Sequence, residues 1–424
     1  MKTTNIALVG VGGWSRYHYD RIKELELLGE VKLGAVMIRA ESMERYRGLA
    51  ETLRAEGVRV YTEYEAMLSR ERGRVELVVI PTGINNHCKM SVGALDAGYH
   101  VLCEKPVAGT VDECSRMKVA QKRSGRILAI CFQNIYSPTI QQMKRYALGG
   151  QLGALRSAKT CVLWPRANSY YARAAWGGKL VFEGETINDC PLMNATAHFL
   201  NIMLYLSGDS SDGSAEPAAI YGENYRVKPI ESCDTQFLRV HTNTGVKLLF
   251  MTSHSTDVRV DPFSEYVFER GKITWSFNGE AVVYKKTGGT YTEVERLHSG
   301  GDEFMKPVYM NVCEAIRNGT QPLADINNSC QHVMCVEKTF QSGPIIDVPE
   351  EFIGSTQVLK DDDCLKSGDT NLFIKGIKPL VQKMYDEELS FYEAGCPWAV
   401  KSRTVIVEDR KPHRERSAAV LAVA

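Results

Sequence analysis

No apolar run in the sequence reaches the roughly 18 residues that a membrane-spanning helix needs. Neither sign of charge is in excess, because 51 Lys and Arg face 51 Asp and Glu. A chain with no net charge lacks the electrostatic footprint of a nucleic-acid or anionic-lipid binder. The twelve cysteines include no C-x-x-C pair. They read as scattered reduced thiols rather than a zinc site, so no metal is expected. No signal-peptide core is present either, since the apolar stretch Ile6 to Gly10 is too short and reads as a buried first strand. These absences point to a soluble, cytoplasmic protein with a small-molecule partner. What is present is 44% hydrophobic and 24% charged residues over 424 positions. That is enough for two or three globular domains.

The first third alternates strand and helix. Nearly continuous apolar runs fall at 6–9, 31–38, 58–61, 75–81, 101–103 and 127–132. Helical patterns fall between them, at 42–55, 64–70, 87–97 and 112–124. Continuous rather than alternating apolarity suits parallel strands buried on both faces. The expectation is an α/β fold with a doubly wound Rossmann sheet over residues 1–132. Its first turn reads Gly10-Val11-Gly12-Gly13-Trp14-Ser15, with serine where the dinucleotide fingerprint has its third glycine. Gly10 suits the tight turn, and Gly12 lets the backbone approach a pyrophosphate at a helix N-terminus. Gly13, Trp14 and Ser15 complete that cofactor turn.

The acid expected at the end of the second strand is missing, and Arg39 stands beside its place. Arg39 would pair with a 2′-phosphate or stack on adenine in either cofactor, so NAD and NADP both stay open. Thr82 lies at a strand's carboxyl end, where ligands bind. His87, just beyond it, either meets the cofactor or caps the next helix. Gln133, after the last strand, joins the cofactor set. Residues 133–348 then carry helices and alternating, turn-separated strands. The stretch Trp164, Arg166, Tyr170, Tyr171, Arg173 and Trp176 is dense in aromatic rings and donors. With Tyr136 it reads as a sugar pocket, since sugars offer apolar C–H faces and a rim of hydroxyls. The bland alternative is a surface loop with structural aromatics. Residues 349–424 are an extension, read as a helix over 370–394 and a flexible arm at 412–424.

Three motifs in order resemble the Gfo/Idh/MocA family over roughly residues 1–345. They are the glycine turn, Glu104-Lys105-Pro106, and the segment Asn194-Ala195-Thr196-Ala197-His198-Phe199-Leu200-Asn201. The aromatic stretch is similar to a glycoside-modifying bacterial branch. The resemblance implies a Rossmann domain followed by an α+β domain with a large, open, mostly antiparallel sheet. It implies hydride transfer between nicotinamide and a secondary hydroxyl of a sugar, glycoside or inositol, for instance at C3 of a glucoside. It also implies a homo-oligomer, dimer or tetramer, assembled through the open sheet. Lys105 would stabilise the developing alkoxide, His198 would take the proton, and Glu104 would hold the lysine or the ribose. The segment departs from the family's D-x-G-x-H-x-x-D at both aspartates, which are Asn194 and Asn201, and at the glycine, which is Thr196. Asn194 and His198, four apart, would share a helix face. Asn194 hydrogen-bonds but cannot stabilise an imidazolium, so Asp189 is the expected substitute. Two alternatives stand beside the dehydrogenase. One is a redox-neutral glycoside hydrolase or lyase with Tyr136, Tyr170 or Tyr171 as an extra base. The other is a nucleotide-binding regulator without catalysis.

Overall fold

The computed structural model describes residues 3–298, 304–361 and 365–407. Its first unit runs β1 (Thr4–Val9), α1 (Trp14–Leu27), β2 (Val31–Met37), α2 (Arg47–Ala55), β3 (Arg59–Tyr61), α3 (Tyr64–Arg70), β4 (Leu77–Ile80), α4 (Ile84–Asp96), β5 (His100–Cys103), α5 (Val111–Ser124) and β6 (Leu128–Ile130). The strands are all parallel, in the order β3-β2-β1-β4-β5-β6. Every residue of β4 and β6 is buried, as their uninterrupted apolar composition requires. The order reverses between β1 and β4, which opens a crevice at the strands' carboxyl ends. Local chemistry sets the helix ends. The Thr110 side chain accepts from the Glu113 amide at 3.2 Å and starts α5, and Gly125 ends it at φ +65°.

The second unit runs α6 (Pro138–Gly149), β7 (Leu155–Leu163), α7 (Asn168–Ala172), β8 (Val181–Phe182), β9 (Glu185–Thr186), α8 (Ala197–Leu206), β10 (Pro217–Arg226), β11 (Thr235–Thr242), β12 (Lys247–Ser253), β13 (Val260–Phe268), β14 (Gly271–Ser276), β15 (Glu280–Thr287), β16 (Thr290–His298), α9 (Met305–Asn318), α10 (Ile326–Ser342) and β17 (Ile345–Asp347). The extension adds β18 (Ile353–Gln357), β19 (Thr370–Ile374), α11 (Ile377–Glu387) and β20 (Thr404–Ile406). A ten-stranded sheet runs β16-β15-β14-β13-β7-β12-β11-β10-β17, with β20 also on β10. It is mostly antiparallel, as expected, but β7–β12 and β10–β17 are parallel pairs. One core joins the two units. Val101, Leu128 and Phe132 of the first lie in the same buried cluster as Leu200, Met203, Leu248 and Val333 of the second.

Three expectations need correction. Helix α9 falls within 133–348, yet Met305, Val308, Tyr309 and Val312 pack with Ile6, Leu8 and Ile22 of the nucleotide unit. Its apolar stripe fits the flank of the Rossmann sheet, so the unit boundary is not a single cut at 132. The helix expected over 370–394 is a strand, β19, followed by α11, because Gly376 at φ +71° separates the two. The sheet face expected to meet a second copy is partly taken. Over β7 and β10–β12 the chain's own Ile377, Val381, Met384, Phe391 and Trp398 pack on Tyr225, Phe237, Leu249 and Met251. Buried Lys228 fastens this cover, donating to Leu372 O at 2.9 Å as well as to His254 O and Ser255 Oγ. The arm at 412–424 lies outside the described residues.

Candidate active site

The glycine turn has the geometry that its sequence requires. Gly10 adopts φ +85°, where side chains are strained, and its amide donates to Met37 O at 2.8 Å. Gly13 precedes α1 at φ +54° with no side-chain cap on the first helical amides. A helix N-terminus without a side-chain cap suits a phosphate, and here the Ser15 and Arg16 amides donate to Gly12 O and Gly13 O at 3.1 Å. Ser15 lines the cavity over this turn, and its buried hydroxyl lies 3.3 Å from Val9 O and 3.2 Å from Pro81 O. A cavity of about 510 Å³ opens over this turn, lined by Gly10, Gly12, Arg39, Ser42, Arg45, Tyr46, Thr82 and Asn85 among others. A Cβ on Gly12 would meet Tyr46 Oη at 2.0 Å, so a larger residue there would have to displace that ring. Arg39 is exposed and pairs with Glu41 at 2.8 Å, a contact worth at most about 1 kcal/mol.

Glu104 follows β5 and gathers donors from across the first unit. Trp14 Nε1 donates to its Oε1 at 2.7 Å, and the Lys105 amide donates to Oε2 at 2.8 Å. His18 Nε2 lies 2.9 Å from Oε1, and His18 Nδ1 lies 2.8 Å from the Tyr309 hydroxyl. With the proton on Nε2, the imidazole donates to Glu104 and accepts from Tyr309. Burial alone would raise the Glu104 carboxyl, but His18, Lys105 and Trp14 together hold it down at about 2. Cys131 brings a third potential metal ligand within 4.8 Å of this pair. Both His18 ring nitrogens are already engaged, and the group reads as a hydrogen-bond relay. The carboxylate thus holds the glycine-turn helix and the Lys105 amide rather than the Lys105 ammonium.

The Lys105 ammonium points across to the second unit. Its Nζ donates to Asn194 O at 3.0 Å and to Asn194 Oδ1 at 3.1 Å. Asn194 Nδ2 donates in turn to Asp189 Oδ1 at 3.0 Å, and Asp189 Oδ2 accepts from the Gly178 amide. Asp189 thus backs the amide that holds the lysine. It does not orient His198, as the sequence suggested. Burial lowers the Lys105 pKa, opposed by the charges of Glu104 and Asp189. Asn194 also lies outside the helix, since α8 begins at Ala197, so it and His198 do not share a regular helix face. His198 Nδ1 is buried with no partner among the described residues. Burial, reinforced by the Lys105 charge, pushes the imidazole down to about 3.

The other expected positions separate. Arg166 is buried with its guanidinium over the Trp164 and Tyr170 rings, and Arg173 stacks on Tyr170 and Trp176. Trp176 lines the nucleotide cavity rather than a sugar pocket, joined there by Phe182 and Glu183 of the β8–β9 hairpin. Tyr136 leaves the substrate set, because its hydroxyl ties Asn311 to the Ala324 amide. Tyr171 is buried against His254 at 2.9 Å. Burial raises the pKa of Tyr136, Tyr170 and Tyr171, which makes each a poor base. His87 is enclosed between Thr82 O at 3.0 Å and Pro106 O at 2.7 Å and does not line the cavity. It positions the loop of Lys105 from behind. Gln133 keeps a buried Oε1 without a partner among the described residues. A second cavity, of about 260 Å³, begins at His198 and runs between Trp164, Phe199, Trp275, Phe277 and Phe304. Sequence reasoning missed the last four, and also Ser42, Arg45, Tyr46 and Glu183. Apart from Phe199, which follows His198 in its motif, no motif marks them, and they meet only through the fold.

Residues 4–132 match the Gfo/Idh/MocA oxidoreductase family, described as an NAD-binding Rossmann fold. The nucleotide unit is a Gfo/Idh/MocA domain. Its curated relatives include inositol 2-dehydrogenase 2 of Saccharopolyspora erythraea, 28% identical over 152 residues, covering 36% of this chain and 42% of that protein. D-Glucoside 3-dehydrogenase of Escherichia coli is 29% identical over 150 residues, covering 35% and 40%. The chain thus spans about two-fifths of the length of the curated relatives it matches. Solved structures extend the likeness of fold to the second unit. Levoglucosan dehydrogenase in complex with NADH and L-sorbose has a TM-score of 0.68 at 15% identity, covering 81% of this chain and 97% of that one. The WlbA dehydrogenase of Bordetella pertussis, in complex with NADH and UDP-GlcNAcA, has a TM-score of 0.65 at 21% identity, covering 80% and 97%. At these identities the likeness establishes the fold.

Proposed function

We propose that the protein is a dinucleotide-dependent dehydrogenase acting on a secondary hydroxyl of a sugar, glycoside or inositol. One observation carries the reading. The Lys105 ammonium, on a loop locked to the nucleotide turn through Glu104 and Trp14, reaches Asn194 beside the His198 cavity. The relatives named as inositol and glucoside dehydrogenases support the substrate class. The cradle suits a nicotinamide dinucleotide, with Gly10, Gly12 and the first amides of α1 to hold the pyrophosphate. When bound, that cofactor supplies the hydride acceptor.

The chain's own residues handle the proton. A hydroxyl between Lys105 and His198 meets a donor and an acceptor. His198 is neutral at ordinary pH, so one ring nitrogen carries no proton and accepts. Its lowered basicity means that it shares the proton with Lys105, whose own pKa burial brings down. Lys105 in its charged form stabilises alkoxide character, and in its neutral form it accepts the proton. Asp189 and Asn194 fix its direction. The second part of the reading is a preference for NADP. Arg39, Ser42 and Arg45 line the cavity where a ribose 2′ substituent belongs, whereas Glu41 does not line it.

The test is a panel of sugars, inositols and glycosides assayed with both cofactors. Reduced-cofactor absorbance should rise, and Lys105→Ala should abolish it while nucleotide binding persists. An active Lys105→Ala enzyme sinks the proton assignment. NADPH should bind at least about tenfold tighter than NADH, the factor that about 1.4 kcal/mol supplies, and Arg45→Ala should remove the difference. Equal affinities in the wild type overturn the cofactor reading.

A further inference from the structure

The cavity that begins at His198 is unlike the rest of the site. Its walls are the rings of Trp164, Phe199, Trp275, Phe277 and Phe304, with Ile140 and Ile202 closing the gaps. The rings form a network, with centroids of Trp164, Phe199 and Phe277 within 5.9 Å of one another. Phe199 packs on Trp275 at 6.0 Å. Among the described residues, the non-aromatic polar side chains that join His198 in the lining are only Asn134 and Ser137. Trp275 Nε1 is buried and has no hydrogen-bond partner among the described residues.

A sugar ring carries a hydroxyl on nearly every carbon. Each hydroxyl buried without a partner costs about 1–3 kcal/mol. Three polar side chains cannot serve a whole ring here. The polar stretch around Arg166, Tyr170 and Arg173 suits the sugar far better. The cavity instead suits a planar apolar group, which gains edge-to-face contacts with the rings. Size agrees, since an apolar cavity of about 150 Å³ holds a benzene molecule. The 260 Å³ available takes an aryl group with substituents.

We propose that this cavity is an aglycone subsite and that the preferred substrates are aryl glycosides, with the sugar at Lys105 and His198 and the aromatic aglycone among these rings. This rests on the dehydrogenase reading for the sugar, but not for the cavity itself. Two measurements therefore separate the ideas. First, tryptophan fluorescence is followed as phenyl β-D-glucoside and methyl β-D-glucoside are added to the full chain without cofactor. Phenyl glucoside should quench with saturation, and methyl glucoside should not. Second, kcat/KM for the pair is compared in wild type and in Phe277→Ala, a change at a partly exposed ring that the fold tolerates. The phenyl-to-methyl ratio should exceed about tenfold and should fall about tenfold in the variant. Equal quenching and a ratio near one overturn the aglycone subsite while leaving the dehydrogenase standing. Saturable phenyl binding with no cofactor reduction by any glycoside overturns the dehydrogenase while leaving the subsite.

Discussion

At the scale of single residues, the site depends on where a few buried charges are allowed to sit. Glu104 is a buried carboxylate held near pKa 2 by donors from three parts of the chain. Glu104→Gln leaves those donors competing for one carbonyl oxygen. It should lower unfolding stability by about 1–3 kcal/mol, read by urea titration. A loss below about 0.5 kcal/mol would show that the relay is dispensable. The histidines set a pH response. Burial holds folded His198 at about 3 and His332 at about 4, whereas an unfolded histidine titrates near 6.5. Between those values the unfolded chain binds protons that the folded chain refuses. Stability is therefore full above about pH 6.5 and falls as pH drops toward 4. Melting temperatures measured from pH 8 to 4 should show that decline, and it should be shallower in His332→Gln. Catalysis responds in the same direction, through a different group. Burial lowers the Lys105 pKa, so kcat/KM for oxidation should rise with pH and level off below the ordinary lysine range. A flat profile would remove Lys105 from the proton path.

At the scale of elements, the short β8–β9 hairpin matters most. It leaves the second unit, and Glu183 accepts from Asn85 Nδ2 at 2.8 Å across the nucleotide cavity. Its base is seated on Gly109, where a Cβ would come within 1.7 Å of Thr186 O. The loop after Pro106 therefore requires glycine there for packing, not for a turn. Asn188 Nδ2 completes the seat by donating to Gly109 O at 3.2 Å. The hairpin thus ties one wall of the nucleotide cavity to the second unit. Glu183→Ala removes one hydrogen bond, worth about 0.5–1.5 kcal/mol. The dissociation rate of the reduced cofactor, measured by stopped-flow fluorescence, should rise about two- to tenfold. An unchanged rate would mean that the hairpin does not hold the cofactor. Nothing in the sequence of residues 181–186 announces this role. Two strands of two residues each carry no periodic signal, and the contact is made with residues almost a hundred positions away.

At the scale of the whole molecule, the extension acts as an intramolecular cover. Trp398 packs edge-on against Tyr225 at 4.8 Å and beside Phe391 at 5.2 Å. Trp398→Ala should cost about 3–5 kcal/mol, as large aromatic deletions in cores do. Hydrogen exchange should then quicken over 377–399 before it does in the sheet, and light scattering should detect self-association through the exposed face. A variant as stable as the wild type would show that the cover is only loosely packed.

What the sequence determined by itself was whatever rests on local periodicity and backbone freedom. Continuous apolar runs dictate parallel strands and Gly10 dictates the turn, while Lys105 and His198 became candidates through the family resemblance of their short motifs. Those signals are short-range, so they survive in the bare order of residues. The tertiary structure alone decided the partners. It gave Glu104 to Trp14 and His18, and Lys105 to Asn194 rather than to an acid. It moved Trp176 to the nucleotide cavity, and α9 to the first unit. It collected five aromatic rings from distant segments around His198. Each of these outcomes depends on burial and on contacts between residues far apart in the chain. A side chain's partner is set by what the fold brings within about 3 Å of it, and no local pattern encodes that distance.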